Sequence, residues 1–416
     1  MRLTRTYVTV CTGSTGRNIM TACEYKEPPH NDRESLDLPE GVPPLRSFYL
    51  YLSNSCNLSC RHCWISPRFT SGQPDPGDII DVEALRGAIT EAKPMGLTTI
   101  KLTGGEPLLH PRFREICAMA TNEKMDLLME TNGTLLTAEL ALFLKNETSM
   151  TFVSVSIDSA VESKHDAFRG TKGAFLATLQ GLDHLVAAGY ENVQVIMSVH
   201  RGNSNEIEDV VRLAERHGAA SVKLNPVTSC GRGAGMNQRG ETLDFADRLS
   251  LDQYIFKELS PLLRSEGTAP DLILNSPLAL MPISEIMRQQ GATGDCGVLG
   301  ILGILGSGEI AMCGIGRNVP ELVYGRLGKD SIRTVWLDHP VLDKLRRVLN
   351  DVDSYPALCR ECTLARRCRT GCVAQNFING KQLVWPDPLC DSACRQGLFP
   401  ATRKKRMLSG ATVMSP

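Results

Sequence analysis

From Ser47 onward, short runs in which apolar and polar residues alternate one by one are separated by longer stretches with helical spacing. The alternating runs fall at 47–53, 98–103, 126–132, 151–158, 192–200 and 221–227. Helical patterns lie between them at 81–93, 111–124, 137–145, 173–188 and 205–217, and a sixth follows at about 251–266. This rhythm predicts βαβ units and a parallel sheet. Gly96, Gly189 and Gly218 each stand just before the next strand, where helix C-caps belong.

The alternation carries a second message. Parallel strands buried on both faces read as continuous apolar runs, and these do not. One face shows Phe48, Leu50, Ile100, Leu102, Leu127, Met129, Val153, Val155, Val193, Val195, Val222 and Leu224. The other shows Tyr49, Tyr51, Thr99, Lys101, Thr103, Glu130, Asn132, Ser154, Ser156, Asp158, Gln194, Ser198, Lys223 and Asn225. Successive side chains on a strand point to opposite faces. The consistent solution packs the apolar face against helices and turns the polar face inward, giving a curved six-stranded sheet around a polar lumen. An antiparallel sheet with one wet face would alternate in the same way, but helices between all six strands argue against it. The expected fold is α/β, a partial (β/α)6 TIM-like barrel over 46–267.

Residues 1–45, rich in Pro, Gly, Ser and charge, read as an N-terminal arm ending at Pro43-Pro44. After about residue 268 the βα rhythm stops. Segment 300–313 reads as a hairpin turning at Ser307-Gly308, and the rest of 268–400 is loop-rich and dense in cysteine. Residues 401–416, with Arg403, Lys404, Lys405 and Arg406, read as a solvated basic tail.

Charge narrows the function classes. With 45 basic and 46 acidic residues among 416, nothing points to a nucleic-acid or membrane-surface partner. No apolar stretch reaches the ~18–20 residues that span a bilayer, and the N-terminus lacks a signal-peptide core. The reading is a cytoplasmic protein. Fifteen cysteines in that compartment stay reduced, so those that cluster are candidate metal or cluster ligands. Cys117, inside a helical pattern, reads instead as a small buried hydrophobe.

The sharpest cluster is Cys56, Cys60 and Cys63, a C-x3-C-x2-C loop directly after the first strand. Cubane iron–sulfur clusters normally take four thiolates, so three at close range leave one iron open. Zinc is the alternative, but structural zinc wants four ligands, and His62 is an awkward fourth. The loop opens at the C-terminal face of the sheet, where such folds carry out chemistry.

With this context the chain resembles the radical S-adenosylmethionine (SAM) enzymes. In that family the open iron chelates SAM, whose reductive cleavage yields a 5′-deoxyadenosyl radical that abstracts hydrogen from an unreactive C–H bond. His62 stands where the family usually has an aromatic ring. Thr103-Gly104-Gly105-Glu106-Pro107 resembles the family's GGE segment, with Glu106 suited to the SAM ammonium. Ser154-Val155-Ser156-Ile157-Asp158 and the run to Arg169-Gly170 resemble the fourth-strand region, which implies Ser156 and Arg169 as further SAM contacts. Gly231-Arg232-Gly233-Ala234-Gly235 after strand six is a weaker match. Lys101 and Lys223 are candidates to orient carboxylates in the lumen, or to pair with Glu130 or Asp158.

Eight cysteines fall between 296 and 394. Cys296, then Gly308-x4-Cys313, Cys359-x2-Cys362-x5-Cys368-x3-Cys372 and Cys390 resemble the SPASM extension of the same superfamily, an α+β domain holding two auxiliary [4Fe–4S] clusters. The resemblance implies a distal cluster on Cys359, Cys362, Cys368 and Cys390. It implies a nearer cluster on Cys296, Cys313 and Cys372, one protein ligand short. The missing position is open to a substrate thiolate or filled by Cys230 or Cys394. Sulfatase-maturing relatives carry an Asp after the cysteine that here is Cys313, but Gly314-Ile315-Gly316 follows, which counts against that activity. SPASM-bearing relatives mostly modify peptides. The implied function is a maturase that crosslinks, epimerises or oxidises a ribosomally made precursor peptide. Reduced flavodoxin or ferredoxin would be its electron donor, and leader recognition would fall to a separate protein or to the enzyme's own surfaces. The alternatives are a radical SAM enzyme acting on a small molecule or tetrapyrrole, and an iron–sulfur electron carrier. The catalytic acid or base is unassigned.

Overall fold

A computed structural model describes residues 36–267, 270–288 and 297–405. The six expected strands form β1 (Ser47–Tyr51), β2 (Thr99–Thr103), β3 (Asp126–Thr131), β4 (Met150–Ser156), β5 (Val193–Val199) and β6 (Ser221–Pro226), each parallel to the next. Between them run α1 (Val82–Ala92), α2 (Phe113–Asn122), α3 (Ala138–Glu147), α4 (Glu162–Arg169), α5 (Ala174–Ala187) and α6 (Ile207–Arg216). The helices start where side chains can satisfy orphan backbone N–H groups: Asp81 caps α1 by accepting from Ala84, and Thr137 caps α3 by accepting from Leu140. Gly96, at φ +102°, closes the first helical segment in the left-handed conformation.

Register keeps the two faces apart. Phe48 lies beside Ile100, and Leu50 beside Leu102. Leu102 in turn lies beside Met129, and Met129 beside Val153, all buried against the helices. On the inner face Tyr51 lies beside Thr103, Glu130 beside Ser154, and Ser198 beside Asn225. The polar lumen is present, and it satisfies itself where no ligand reaches. Lys101 Nζ lies 2.5 Å from Glu130, and Gln194 links Ser154 to Ser221.

Among the described residues the sheet extends past the expected six strands at both edges, reaching ten in the order β10 (Val323–Arg326), β9 (Glu309–Ala311), β8 (Ile301–Ile304), β1, β2, β3, β4, β5, β6 and β7 (Asp271–Leu274). The βα rhythm does not stop at 268. The helix Phe245–Tyr254 passes through a π-helical turn, Ile255–Leu259, into Ser260–Glu266 and crosses over to β7 (Asp271–Leu274), parallel to β6. β7 escaped notice because four residues show too little alternation to separate from a loop. The hairpin at 300–313 exists as β8 (Ile301–Ile304) and β9 (Glu309–Ala311), followed by β10 (Val323–Arg326), but it is not set apart from the barrel. β8 runs parallel to β1, with Leu302 beside Phe48 and Ile304 beside Leu50, so its apolar residues continue the barrel's outer core. Within the barrel, α4 and Arg232–Gln238 inside the glycine-rich run after β6 were not expected, and the stretch expected to be loop-rich carries further helices, among them Ile332–Asp338, Pro340–Asn350, Val373–Gly380 and Pro388–Arg395.

The basic C-terminal run is not solvated throughout. Arg403 is buried and donates to the Met281 carbonyl, and its own carbonyl accepts from Thr363, while Lys405 Nζ donates to the Arg360 carbonyl. Arg406 and the residues after it lie outside the described residues, as do residues 1–35 of the arm. No helix among the described residues is long and apolar enough to cross a membrane.

Trp336, on the helix Ile332–Asp338, ties this C-terminal half to the chain leading into β1. It is fully buried, donates to the Pro43 carbonyl at 2.9 Å, and carries the Arg346 guanidinium over its ring at 4.7 Å. Trp336→Ala is expected to destabilise the protein by about 3–5 kcal/mol, read as a lower midpoint in urea unfolding; an unchanged midpoint would show that the two halves do not depend on this contact.

Candidate functional site

The loop carrying Cys56, Cys60 and Cys63 leaves β1 at the C-terminal end of the sheet and is held by its neighbours' backbones. Gly105 donates to the Ser53 carbonyl (2.8 Å) and Glu106 to that of Ser55 (3.0 Å). Ser59 and Arg61 donate to the carbonyls of Arg169 and Phe168 at the end of α4, at 3.0 and 2.9 Å. Arg232 donates to the Cys63 carbonyl (2.9 Å), and the Asn318 amide to that of Trp64 (2.9 Å). Such close backbone approach needs residues without a side chain. A Cβ on Gly105 would collide with the Ser55 carbonyl, and one on Gly231, itself at φ +55°, with that of Trp64.

Held this way, the three thiols face one cavity of about 400 Å³. Cys56 and Cys60 are buried and Cys63 half-buried. Two thiols accept side-chain hydrogen bonds, Cys56 from Asn132 at 3.8 Å and Cys60 from Arg169 at 3.7 Å; the Leu58 amide also reaches Cys56 at 3.4 Å. Burial pushes the Cys56 and Cys60 thiols well up, so they would carry charge only against a cationic centre.

Of the residues proposed to meet SAM, His62, Gly104, Gly105, Ser156 and Arg169 line this cavity. His62 is a stacking ring, as its position implied. It lies flat on Phe168 (centroids 4.6 Å, 10° between planes), which stacks on His200 (4.5 Å), and its Nε2 is 3.0 Å from Ser198 Oγ. Burial drops its pKa to about 3, so the ring is neutral. Glu106 sits differently. It is fully buried behind the wall, and its carboxylate accepts from Thr131 Oγ1 (2.7 Å), Asn132 N (2.8 Å) and Leu108 N (3.1 Å), with burial raising its pKa to about 7. Arg169 is already paired, its Nε 2.6 Å from Asp158. The cavity also contains Trp64, Glu130, Asn132 and Arg232, none of them singled out as SAM contacts. Glu130 and Asn132 were legible on the inward polar face; Arg232 was signalled only as the one charge in a glycine run.

The described C-terminal cysteines fall in two places. Cys359, Cys362, Cys368 and Cys390 surround a single small, mostly apolar cavity beside Asp387. Cys313 and Cys372 lie instead in the wall of the main cavity. Cys296 falls outside the described residues. Cys230 is buried near Cys63 and Cys313, with its Sγ 3.9 Å from the Trp64 carbonyl. Cys394 is exposed, one turn beyond Cys390 on the helix Pro388–Arg395. Cys117 is a core residue.

This donor set fits an iron–sulfur cluster better than a single ion. Among the described residues, no group of three His, Cys, Asp or Glu side chains is gathered tightly enough to hold one metal ion. The triplet instead rings a cavity with room for a polynuclear group and an organic ligand beside it.

Comparison with known proteins agrees with this geometry. Residues 50–214 match the Radical SAM superfamily. The mycofactocin maturase MftC of Mycobacterium ulcerans is 27% identical over 360 residues, covering 82% of this chain and 86% of its own length. The AdoMet-dependent heme synthase of Nitratidesulfovibrio vulgaris is 33% identical over 202 residues, 49% of this chain and 53% of its own. Among solved structures, Streptococcus suis SuiB bound to its precursor peptide SuiA superposes with a TM-score of 0.64 at 16% identity, covering 84% of this chain and 76% of SuiB, which supports the fold.

The clamp on the triplet loop makes a sharp prediction. Gly105→Ala should push the Ser55 carbonyl aside and shift Cys56, lowering iron bound at the triplet by at least about half in anaerobic reconstitution, with the other cysteines unaffected. Full iron occupancy in that variant would mean the loop does not need this approach.

Proposed function

The chain carries a radical SAM domain over residues 50–214, and on that premise we propose that it is a peptide maturase acting on a ribosomally made precursor. Cys56, Cys60 and Cys63 would hold a [4Fe–4S] cluster, which together with SAM would supply hydrogen-atom abstraction from an unactivated C–H bond. The chain's own residues prepare that chemistry. Asn132 and Arg169 direct N–H groups at the thiolates, which orients them and tunes the cluster's potential. Gly104 and Gly105 expose backbone to SAM, and Ser156 and Arg169 add polar contacts. His62, neutral and stacked on Phe168, presents a flat apolar wall. Glu106 acts from behind, locking the ends of β2 and β3 together rather than facing the ligand.

Two auxiliary clusters complete the reading. Cys359, Cys362, Cys368 and Cys390 would hold the distal one. Cys313 and Cys372, with Cys296, would hold the nearer, whose fourth position is open or taken by Cys230. Cys394, exposed and beside the distal set, is the weaker candidate. Electrons would come from a reduced flavodoxin or ferredoxin, and a separate leader-binding protein is compatible with this arrangement.

The observation carrying the proposal is that Cys313 and Cys372 share the cavity of the radical SAM triplet. A substrate held there meets both centres, as abstraction followed by oxidation requires. The similarity to MftC supports a peptide substrate. The similarity to a heme synthase over half the chain favours, more weakly, a tetrapyrrole or other small molecule. Product analysis with a co-encoded short peptide separates the two.

Anaerobic incubation with SAM and dithionite should yield 5′-deoxyadenosine. Replacing Cys56, Cys60 and Cys63 together by Ala should abolish that product while keeping about eight of some twelve irons. An intact, reducible protein that forms no 5′-deoxyadenosine would instead be an electron carrier.

A further inference from the structure

Three charged side chains line the main cavity among the described residues: Glu130, Arg169 and Arg232. Two are neutralised within the protein, Glu130 by Lys101 at 2.5 Å and Arg169 by Asp158 at 2.6 Å. Arg232 is not. Its Nε and Nη2 are buried without a hydrogen-bond partner, and no carboxylate of the described residues lies within ion-pair distance. Its position is nonetheless well determined. Its backbone N–H is shared between the Cys63 carbonyl (2.9 Å) and Ser66 Oγ (3.0 Å), and the preceding Gly231 packs beneath Trp64. Buried N–H donors without a partner are costly, and the planar guanidinium fork matches a carboxylate in two parallel hydrogen bonds.

Two carboxylates can enter this cavity, that of SAM and one carried by the substrate. The residues assigned to SAM come from the triplet loop (His62), the ends of β2 and β4 (Gly104, Gly105, Ser156) and the end of α4 (Arg169), whereas Arg232 comes from the loop after β6. There the triplet loop meets the C-terminal half, as the Asn318 bond to Trp64 shows. Cys313 and Cys372 line the same cavity. We infer that Arg232 receives a carboxylate of the peptide substrate, either its C-terminus or an Asp or Glu side chain, and so selects acidic segments for the radical. The inference rests on the peptide-maturase reading.

The test uses anaerobically reconstituted full-length protein in equilibrium dialysis. The probes are SAM alone and, with SAM present, two random hexapeptide pools. One pool carries free C-termini, Asp and Glu; in the other every carboxylate is replaced by carboxamide. Wild type should retain the carboxylate pool at least about tenfold better than the amide pool. Arg232→Gln should erase that preference while changing SAM affinity by less than about twofold, and Arg232→Lys, a point charge, should restore part of it. Iron content reports whether each variant has formed the triplet loop, and the pool contrast in wild type needs no variant. Loss of SAM affinity in Arg232→Gln with the preference intact would assign the cation to SAM and overturn the inference. So would a variant that binds both probes like wild type. If wild type binds SAM and retains both pools equally, the carboxylate assignment alone falls. If it binds SAM and retains neither, the peptide reading falls and the inference with it.

Discussion

A parallel strand whose side chains are apolar on one face only can bury that face under a helix, but its other face must then find polar company. In this chain six consecutive strands share that constraint, and curvature answers it for all of them at once. The register runs the apolar positions along the outside, from Leu50 through Leu102, Met129 and Val153, and the polar positions along the inside. The lumen floor is consumed by its own pairs, Lys101 with Glu130 and Gln194 with its serine neighbours. The cavity opens toward the strands' C-terminal ends, where Thr103, Asn132, Ser156, Ser198 and Asn225 line it.

The triplet loop illustrates how a site is built from backbone as much as from side chains. Its carbonyls accept from the loop after β2, the loop after β6 and Asn318 beyond the hairpin, while its own Ser59 and Arg61 N–H groups donate to carbonyls at the end of α4. Each donor must come close, so glycines stand at these approaches and an ordinary side chain would displace a ligand-bearing segment. Cysteine spacing determines which atoms can ligate; the neighbouring loops determine where those atoms point. The same logic accounts for Glu106. The Glu106 carboxylate is encircled by Thr131, Asn132 and Leu108, and so ties the loop after β2 to the end of β3.

In the C-terminal half, cysteines and a buried cation are organising points beside the apolar core that Leu302, Ile304, Trp336 and Leu345 extend. Four thiols gather around one small cavity. The chain end closes over the same region, with Arg403 buried against the Met281 carbonyl and exchanging backbone contact with Thr363. A basic run reads as solvated because charge is usually exposed. Here the guanidinium of Arg403 satisfies a carbonyl that the loop-rich backbone leaves without a partner.

Local periodicity alone determined the six strands, all but α4 of the helices between them, the inward polar face and the hairpin, because period two and period 3.6 are written in neighbouring residues. The resemblance of the C-terminal cysteine pattern grouped Cys359, Cys362, Cys368 and Cys390, and these four line one small cavity. Tertiary structure decided what those patterns could not contain. It made β8 a neighbour of β1, some 250 residues away in the chain, because strand pairing across that distance depends on which sheet edge is left open. It gave Asp158 to Arg169 and Lys101 to Glu130, leaving Arg232 as the cavity's unpaired cation. Charge pairing is a property of distance and burial, and neither is visible until the chain has closed on itself.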